Sequence, residues 1–300
     1  MCDRFFIVNP VSGSGKSRKL FEELLPQIER SGRSFEWRYT TGKGHARELA
    51  EEASRKGCQR VISVGGDGTA NEVAAALIGS DTEMGILPFG TGNDFAKAVG
   101  LPTDPDAALE AALYGEARPV RPVDAAMAND KPFINVSGTG FDVDVIINTE
   151  KFKKRFNGML PYMLGIFQSL MHLKPVTFEI TADGESFTER ALLFNACNGT
   201  HFAGGMHVAP MASPYDGLLD VCILRAISIP QFLLLLPRYT RGAHTASRHV
   251  RYFKAKEIAV RCDSENIINL DGELDSSTPV TFKVLPGAIK LALPGEKGNK

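Results

Sequence analysis

The chain has 300 residues, 43% of them hydrophobic, with 34 basic and 35 acidic side chains and a formal net charge of −1. That size supports one large or two smaller packed domains, and the balanced charge gives no global pull toward nucleic acid, which is not expected as a partner. The five cysteines, Cys2, Cys58, Cys197, Cys222 and Cys262, are odd in number, widely spaced and lack a Cys-x-x-Cys pair; they exclude a disulfide frame or zinc site and predict reduced thiols in a cytoplasmic protein.

The first ~125 residues alternate between strand-like and helix-like runs, judged by hydrophobic period. Phe5–Asn9 reads as a strand, Lys16–Arg30 as a helix with Leu20, Leu24 and Ile28 on one face, Phe35–Thr41 as a strand and His45–Lys56 as a helix. Arg60–Val64, Thr69–Ile78 and Met84–Pro88 continue as strand, helix, strand, followed by short helices at Asn93–Val99 and Asp106–Leu113. Such alternation predicts a parallel sheet covered on both faces. From Val120 the pattern changes to strands at Phe133–Ser137, Val176–Ala182, Arg190–Asn198, Leu219–Leu224, Glu257–Cys262, Ile267–Asp271, Val280–Leu285 and Ile289–Leu293. Two helices interrupt them, Asn157–His172 and Ile229–Arg241, the latter with Ser228 as cap and Pro230 in the first turn. Domains are expected at 1–124 and 125–288, with the tail from about 289 to 300 packing back on the first. Neither long apolar stretch, Met159–Leu173 or Phe232–Leu236, reaches the length of a membrane span, and no apolar signal core is expected at the N-terminus.

Three glycine-rich turns follow strands of the first half: Asn9-Pro-Val-Ser-Gly13, Gly65-Gly-Asp-Gly-Thr69 and Phe89-Gly-Thr-Gly-Asn-Asp94. In a parallel sheet all strand C-termini share one edge, where ligands bind. Glycines let the backbone approach a ligand with its amides. A carboxylate such as Asp67 in a phosphate-facing loop asks for a bridging cation, and Mg²⁺ suits oxygen ligands and phosphates. The bland alternative is three tight turns with Asp67 as a helix cap. Gly15-Lys16-Ser17 imitates a Walker A ending, but Pro10 stands where that loop needs its first glycine, and proline offers no N–H.

Taken together, Asn9-Pro-x-Ser-Gly13, Gly65-Gly-Asp-Gly-Thr-x-Asn-Glu72 and Pro88-Phe-Gly-Thr-Gly-Asn-Asp-Phe95 resemble the diacylglycerol-kinase catalytic family. The chain looks most like its bacterial lipid kinases, relatives of sphingosine kinases and, further off, NAD kinases. Asp124, Pro214-Tyr-Asp-Gly-Leu-Leu-Asp220 and Asn269-Leu-Asp-Gly-Glu273 match later motifs, so the resemblance spans nearly the whole chain. It implies an N-terminal three-layer α/β domain with a parallel sheet that binds ATP, a C-terminal β-sandwich-like domain, and an active site between them. The implied reaction moves the γ-phosphoryl group of ATP to a lipid hydroxyl, with diacylglycerol giving phosphatidic acid. A kinase for a soluble acceptor such as NAD and a non-catalytic nucleotide-binding regulator are the rivals.

The resemblance also carries residue roles. Asn9, Pro10, Val11, Ser12, Gly13, Thr41, Gly65, Gly66, Asp67, Gly68, Thr69, Asn71, Glu72 and Thr91 are implied to contact ATP, with Asn93, Asp94 and Asp124 in the same polar network. Asp67 and Asp124 are implied ligands of the catalytic Mg²⁺, and Ser213, Asp216 and Leu218 of a second, structural ion. A lipid hydroxyl needs a proton acceptor within reach; Glu273 is the implied base and Asp271 the alternative, while an exposed Asp-Gly hairpin turn is the plain reading of that stretch. Lys153 and Lys154 are the nearest candidates for the family's second-domain lysine.

Between Val221 and Lys256 stand seven basic residues, Arg225, Arg238, Arg241, Arg248, Arg251, Lys254 and Lys256, and no acidic one, around Phe232–Leu236. With Lys151-Phe-Lys-Lys-Arg-Phe156 they suggest a peripheral protein that meets its lipid at an anionic membrane surface. The plain reading is a core-facing helix with a solvated basic face. A homodimer stays open.

Overall fold

The structure is a computed structural model that describes residues 3–114, 120–153, 155–156, 160–202 and 204–294. The chain forms two units: one takes the residues up to Ala125, Ser213–Gly217 and the chain from Leu285, the other Ala126–Ala212 and Leu218–Val284. The return of Ser213–Gly217 to the first unit has no counterpart in the sequence reading.

In the first unit the strand–helix alternation becomes β1 (Arg4–Val8), α1 (Lys16–Arg30), β2 (Phe35–Tyr39), α2 (His45–Arg55), β3 (Arg60–Gly65), α3 (Asp67–Leu77), β4 (Glu83–Pro88), α4 (Asp94–Ala98) and α5 (Pro105–Leu113). The strands pair in parallel in the order β2-β1-β3-β4. β1 and β3 are buried along their whole length, as strands covered on both faces must be. Phe6, Val8, Ile62, Val64 and Leu87 pack under Phe21, Leu24 and Ile28 of α1 and Ala108, Leu109 and Ala112 of α5. The buried α1 set recurs every three to four residues, which is the stripe that fixes its docking face. α2 and α3 bury Leu49, Ala50, Val73 and Leu77. The buried guanidinium groups of Arg4 and Arg60 donate to the last carbonyls of α5, Leu113 and Ala112, where a cation suits the helix C-terminus.

β5 (Val120–Ala128) leads into the second unit, built from β6 (Lys131–Phe133), β7 (Val136–Gly140), α6 (Phe141–Lys153), α7 (Leu160–Met171), β8 (Val176–Ala182), β9 (Glu185–Cys197), β10 (Leu219–Arg225), α8 (Ile229–Thr240), β11 (Val250–Ala255), β12 (Glu257–Cys262), β13 (Ile267–Leu270), β14 (Glu273–Ser277) and β15 (Val280–Ala292), whose end pairs Leu291 with Met84 inside the first unit. The long β9 serves two neighbourhoods. Its first half pairs with β8, which continues to β12 and β15; its second half pairs with β7 on one side and β10 on the other. All these pairings are antiparallel, and Phe178, Ile180, Phe194, Val221, Ile223, Ile258, Val260 and Phe282 fill the space between. The opposite face of β9 and β10 carries Leu193, Cys197, Cys222 and Leu224, which pack against Leu170 of α7 and Phe232, Leu235 and Tyr239 of α8. β10 is therefore apolar on both faces, and its buried run shows no alternation.

Three expectations need correction. Phe133–Ser137 is not one strand, because the backbone of Ile134–Val136 turns to donate to Asp271. α6 was not foreseen; its Val, Ile and Thr content reads as strand, yet packing against α7 holds it helical. Val280–Leu285 and Ile289–Leu293 form one strand despite Pro286-Gly287. The described cysteines are all free. Among the described residues no helix is long and apolar enough to cross a membrane.

Candidate functional site

In the first unit the three glycine-rich turns lie against one another. A Cβ added to Gly13 would stand 2.4 Å from the Phe89 carbonyl oxygen; one added to Gly90 would stand 2.3 Å from Gly66 Cα. Gly65 is closed in by Thr69 and Asn9. These glycines are needed because backbone packs on backbone. Gly13 adds a left-handed φ of 59°, which leads into α1. Asn9 Nδ2 donates to Thr69 Oγ1 at 3.0 Å, tying the first turn to the second, and Asn9 Oδ1 accepts the Val11 N–H. Pro10 and Ser12 are half-buried, and Val11, Gly68 and Thr91 are exposed on this edge. Asn71 lies half-buried in α3, with a buried Oδ1 that has no protein donor. Ser17 of the Walker look-alike is buried and donates to the Val64 carbonyl, so it has no part in a phosphate site.

Several acids and amides expected among the ligand contacts also hold backbone. Both oxygens of Glu72 accept from the first turn of α2, Gly44 N at 2.8 Å and Ala46 N at 3.0 Å. Asn93 accepts from Gly90 N and donates to the Pro88 and Gly90 carbonyls, stapling the third turn. Asp124, buried, accepts from Gly217 N and Gly287 N, both at 2.7 Å. Its own N–H donates to Pro214, which pins the Ser213–Gly217 segment and leaves Asp216 exposed. Leu218, the other implied ion contact, belongs to the second unit. Thr41 is exposed and bonds His45 Nδ1.

Asp67 differs. Its Oδ1 accepts the Phe95 N–H at 3.1 Å, so it does cap a helix, but α4 rather than its own. Burial pushes its carboxyl above the usual range, and the neighbouring Asp94 carboxylate pushes in the same direction, against the Phe95 bond. Two acids beside amide-lined turns make a hard-oxygen donor set that a divalent cation would relieve. Among the described residues no group of three or more protein ligands forms, so Mg²⁺ would be held by Asp67 with phosphate and water oxygens, as that ion prefers. Asp124, with its carboxylate bonded to two backbone amides, fits a clamp better than a metal ligand.

In the second unit β13 and β14 form a hairpin whose two turn residues, Asp271 and Gly272, have φ of 49° and 96°, the geometry Asp-Gly favours. The Asp271 carboxylate accepts three backbone N–H groups, Ile134 at 2.8 Å, Asn135 at 3.0 Å and Val136 at 2.7 Å. It is an anchor. Glu273 lies half-buried at the start of β14, two residues after Asp271. Asn269 Oδ1 accepts from Gly272 N at 2.7 Å, and its Nδ2 donates to Asp142 Oδ2 at 3.3 Å.

That last bond leads to residues the sequence reading missed. Asp142, at the start of α6, and Asn195, on β9, line a cavity of ≈ 70 Å³ whose other walls are almost wholly apolar, among them Phe141, Ile146, Ile166, Phe232 and Leu235. Asp142 Oδ1 and Asn195 Oδ1 are buried and have no hydrogen-bond partner among the described residues. Gly138 makes this possible: a Cβ there would lie 1.8 Å from Asn195 Oδ1, so the bare strand lets the amide lie across it. Burial pushes the Asp142 carboxyl up to about 6, with Asn269 pulling the other way. In sequence, Asp142 lies in a β-branched run that reads as strand, and nothing there marks it out.

The basic residues divide in two. Arg225 and Arg251 pair with Glu189, and Lys254 with Asp220, so three of the seven are matched across the sheet. Arg238, Arg241 and Arg248 are exposed, beside Leu233 and Leu234 of α8, while Phe232 and Leu235 are core. Lys154 and the Lys153 side chain lie outside the described residues.

Comparison with known proteins agrees with this architecture. Residues 3–125 match the diacylglycerol kinase catalytic domain, and residues 135–293 match the YegS C-terminal NAD kinase beta sandwich-like domain. The chain is 32% identical to a diacylglycerol kinase of Bacillus subtilis over 98% of this chain and 97% of that protein. It is 33% identical to a "Probable lipid kinase YegS-like" of Klebsiella pneumoniae over 95% and 94%. A crystal structure from Bacillus anthracis, 26% identical, superposes with a TM-score of 0.81 over 97% of this chain and 95% of that one. The chain belongs to the diacylglycerol kinase and YegS lipid-kinase family of bacteria.

Proposed function

We propose that this protein is an ATP-dependent kinase that phosphorylates a glycerolipid hydroxyl, with diacylglycerol the reference acceptor and phosphatidic acid its product, at an anionic membrane surface. The observation that carries the lipid reading is the apolar cavity beside Asp142, which bonds through Asn269 to the hairpin bearing Glu273. A dinucleotide acceptor would find almost no polar partners there, and a regulator that only binds nucleotide has no use for it.

The amides of the three turns and the N-terminus of α3 receive the triphosphate, where helix and loop dipoles favour negative charge. Asp67 would hold Mg²⁺, which would supply neutralisation of phosphate charge during transfer. Glu273 accepts the hydroxyl proton as the oxygen–phosphorus bond forms; the bond to the bridging oxygen breaks and ADP leaves. Asp271 keeps the hairpin in place.

The test is transfer of label from γ-labelled ATP, with Mg²⁺, to dioctanoylglycerol or to NAD. Labelled phosphatidic acid is expected, and labelled NADP would overturn the lipid reading. Asp67→Asn should lower kcat by about 100-fold or more, because the amide keeps the Phe95 bond but loses the charge that holds the cation. Its melting temperature should stay near that of the parent.

A further inference from the structure

We propose that β2 is a self-pairing edge: a second copy of this chain adds its own β2 to the sheet, antiparallel about Trp37, so that Glu36 of each copy faces Arg38 of the other. This surface lies wholly in the first unit and owes nothing to the choice of acceptor.

β2 ends the parallel sheet of the first unit: it pairs with β1, and no described strand pairs with its other side. The Ser34 carbonyl accepts from Arg4 N at 3.1 Å, and Thr40 N donates to Val8 O at 2.9 Å, so both ends of the strand turn their even-numbered residues to β1. Backbone direction alternates along a strand, which leaves the N–H and C=O groups of Phe35, Trp37 and Tyr39 pointing outward. An open row of this kind templates another strand unless Pro, Lys, a bulge or a covering element blunts it. Phe35-Glu-Trp-Arg-Tyr39 has no Pro and no Lys, and its register with β1 runs without a shift. Its aromatic side is already held in place, Phe35 against Phe6 and Trp37 against Phe21 and Tyr39. Trp37 nevertheless stays 39% exposed.

The two charges of the strand decide which occupant fits. Glu36 and Arg38 are exposed, and neither is in an ion pair among the described residues. Glu52 of α2 feels the charge of Arg38 but is paired with Lys56. Two-fold pairing centred on Trp37 sets Phe35 against Tyr39 and Glu36 against Arg38, twice over. Because the outward amides belong to Phe35, Trp37 and Tyr39, these become the hydrogen-bonded pairs. Glu36 and Arg38 then fall at the non-hydrogen-bonded positions, where facing side chains stand closer and opposite charges stabilise the pair. Shifting the pairing by two residues sets Glu36 on Glu36 or Arg38 on Arg38, and shifting it by one breaks the hydrogen-bond alternation. Charge and backbone therefore select the same register. Beside Glu36 and Arg38 a recess of ≈ 400 Å³, walled on its far side by Glu52, Ala53 and Lys56, leaves room for the partner's side chains. The pairing is isologous, so each edge is used once and the assembly closes at two copies.

The experiment is sedimentation velocity of the full chain across a concentration series. The parent should show a monomer–dimer equilibrium in the micromolar range, as suits a small interface without a large apolar core. Glu36→Arg and Arg38→Glu each set like charges together at both ends of the pairing and should weaken dimerisation by about tenfold or more. The double variant Glu36→Arg with Arg38→Glu, in which the two charges are exchanged, should recover it. An equimolar mixture of the two single variants should form mixed dimers although neither pairs with itself. Both side chains are exposed, so melting temperatures should stay near the parent's. Should a single reversal not fold, Glu36→Gln and Arg38→Gln, which remove charge without reversing it, carry the comparison with losses of about threefold. A parent that stays monomeric at the highest concentration, or a double variant that folds but does not dimerise, overturns the pairing. A dimer indifferent to the single reversals overturns it too, and places the contact between copies elsewhere on the chain.

Discussion

The three-turn cluster and the helix-covered cavity use side chains in opposite ways. In the turns, Glu72, Asn93 and Asp124 point at backbone, and the ligand-facing surface is the backbone itself. In the cavity the backbone is closed into strands, and the lining is made of side chains that are almost all apolar. The difference suits what we propose each holds. A triphosphate is dense in charge and is met by many preset amide dipoles, so side chains are better employed in fixing those amides. An apolar chain needs exclusion of water and a few polar groups at one end.

The largest effect that tests this division lies in the hairpin. Glu273→Gln should cut kcat by about 10³-fold, within the range for loss of a general base, while ATP affinity by calorimetry stays near the parent's. Asp271→Asn should behave like a scaffold lesion. One of its oxygens becomes an NH₂ facing a backbone N–H, which should cost about 2–3 kcal/mol of folding stability and lower the melting temperature. The opposite pair of results, an active Glu273→Gln and a stable but inactive Asp271→Asn, would move the base to Asp271.

Next in size is the cost of keeping Asp142 in the cavity. Its carboxyl rises from the ordinary 3.8 to about 6, mainly by burial, with Asp144 pushing in the same direction. The folded protein thus holds this proton more tightly than the unfolded chain. The group costs nothing below pH 3.8, and stability falls as pH rises toward 6. At 1.36 kcal/mol per unit the loss is about 3 kcal/mol at neutral pH. Asp142→Asn, which does not titrate, should be the more stable protein at pH 7.5 by roughly that amount, with the gap closing toward pH 4. Urea midpoints at several pH values check it. A variant less stable than the parent at pH 7.5 would show that the bond to Asn269 outweighs the cost of burying the charge.

Most of the first unit was legible from sequence because its helices bury one stripe and its strands are short apolar runs between glycine-rich turns. The convergence of the three glycine-rich turns was legible for the same reason: Gly13, Gly66 and Gly90 are where backbone meets backbone. The fate of the acids was not. Nothing in Gly65–Glu72 reveals that Asp67 bonds α4 and Glu72 bonds α2, since both partners come from elsewhere in the chain. In the second unit α6 was hidden by its β-branched residues, and with it Asp142. The matched pairs of Arg225 and Lys254 were hidden too, because Glu189 and Asp220 reach them across strands or from outside the counted window.

The smallest effect concerns the basic residues that remain. Arg238 and Arg241 stand at the C-terminal end of α8, Arg248 follows, and all three are exposed, beside Leu233 and Leu234, which are 51% and 78% exposed. Basic groups at an anionic bilayer contribute about 1 kcal/mol each when close to it. Three of them, partly screened, should give about a tenfold preference for anionic over neutral vesicles. That preference should fade with added salt, as the Debye length drops from ~10 Å at 0.1 M to ~3 Å at 1 M. Reversal of all three to Glu should remove it. Reversal also places acid at a helix C-terminus, which is unfavourable by itself, so replacement with Gln is the cleaner comparison and should remove the preference without lowering the melting temperature. Residual binding to neutral vesicles should then depend on Leu233 and Leu234. Activity on a micelle-dispersed short-chain acceptor should survive either triple change, because neither the turns nor the cavity includes these arginines. If co-sedimentation shows equal binding to both vesicle types, or no change on reversal, the arginines are a solvated face and the bilayer is met elsewhere.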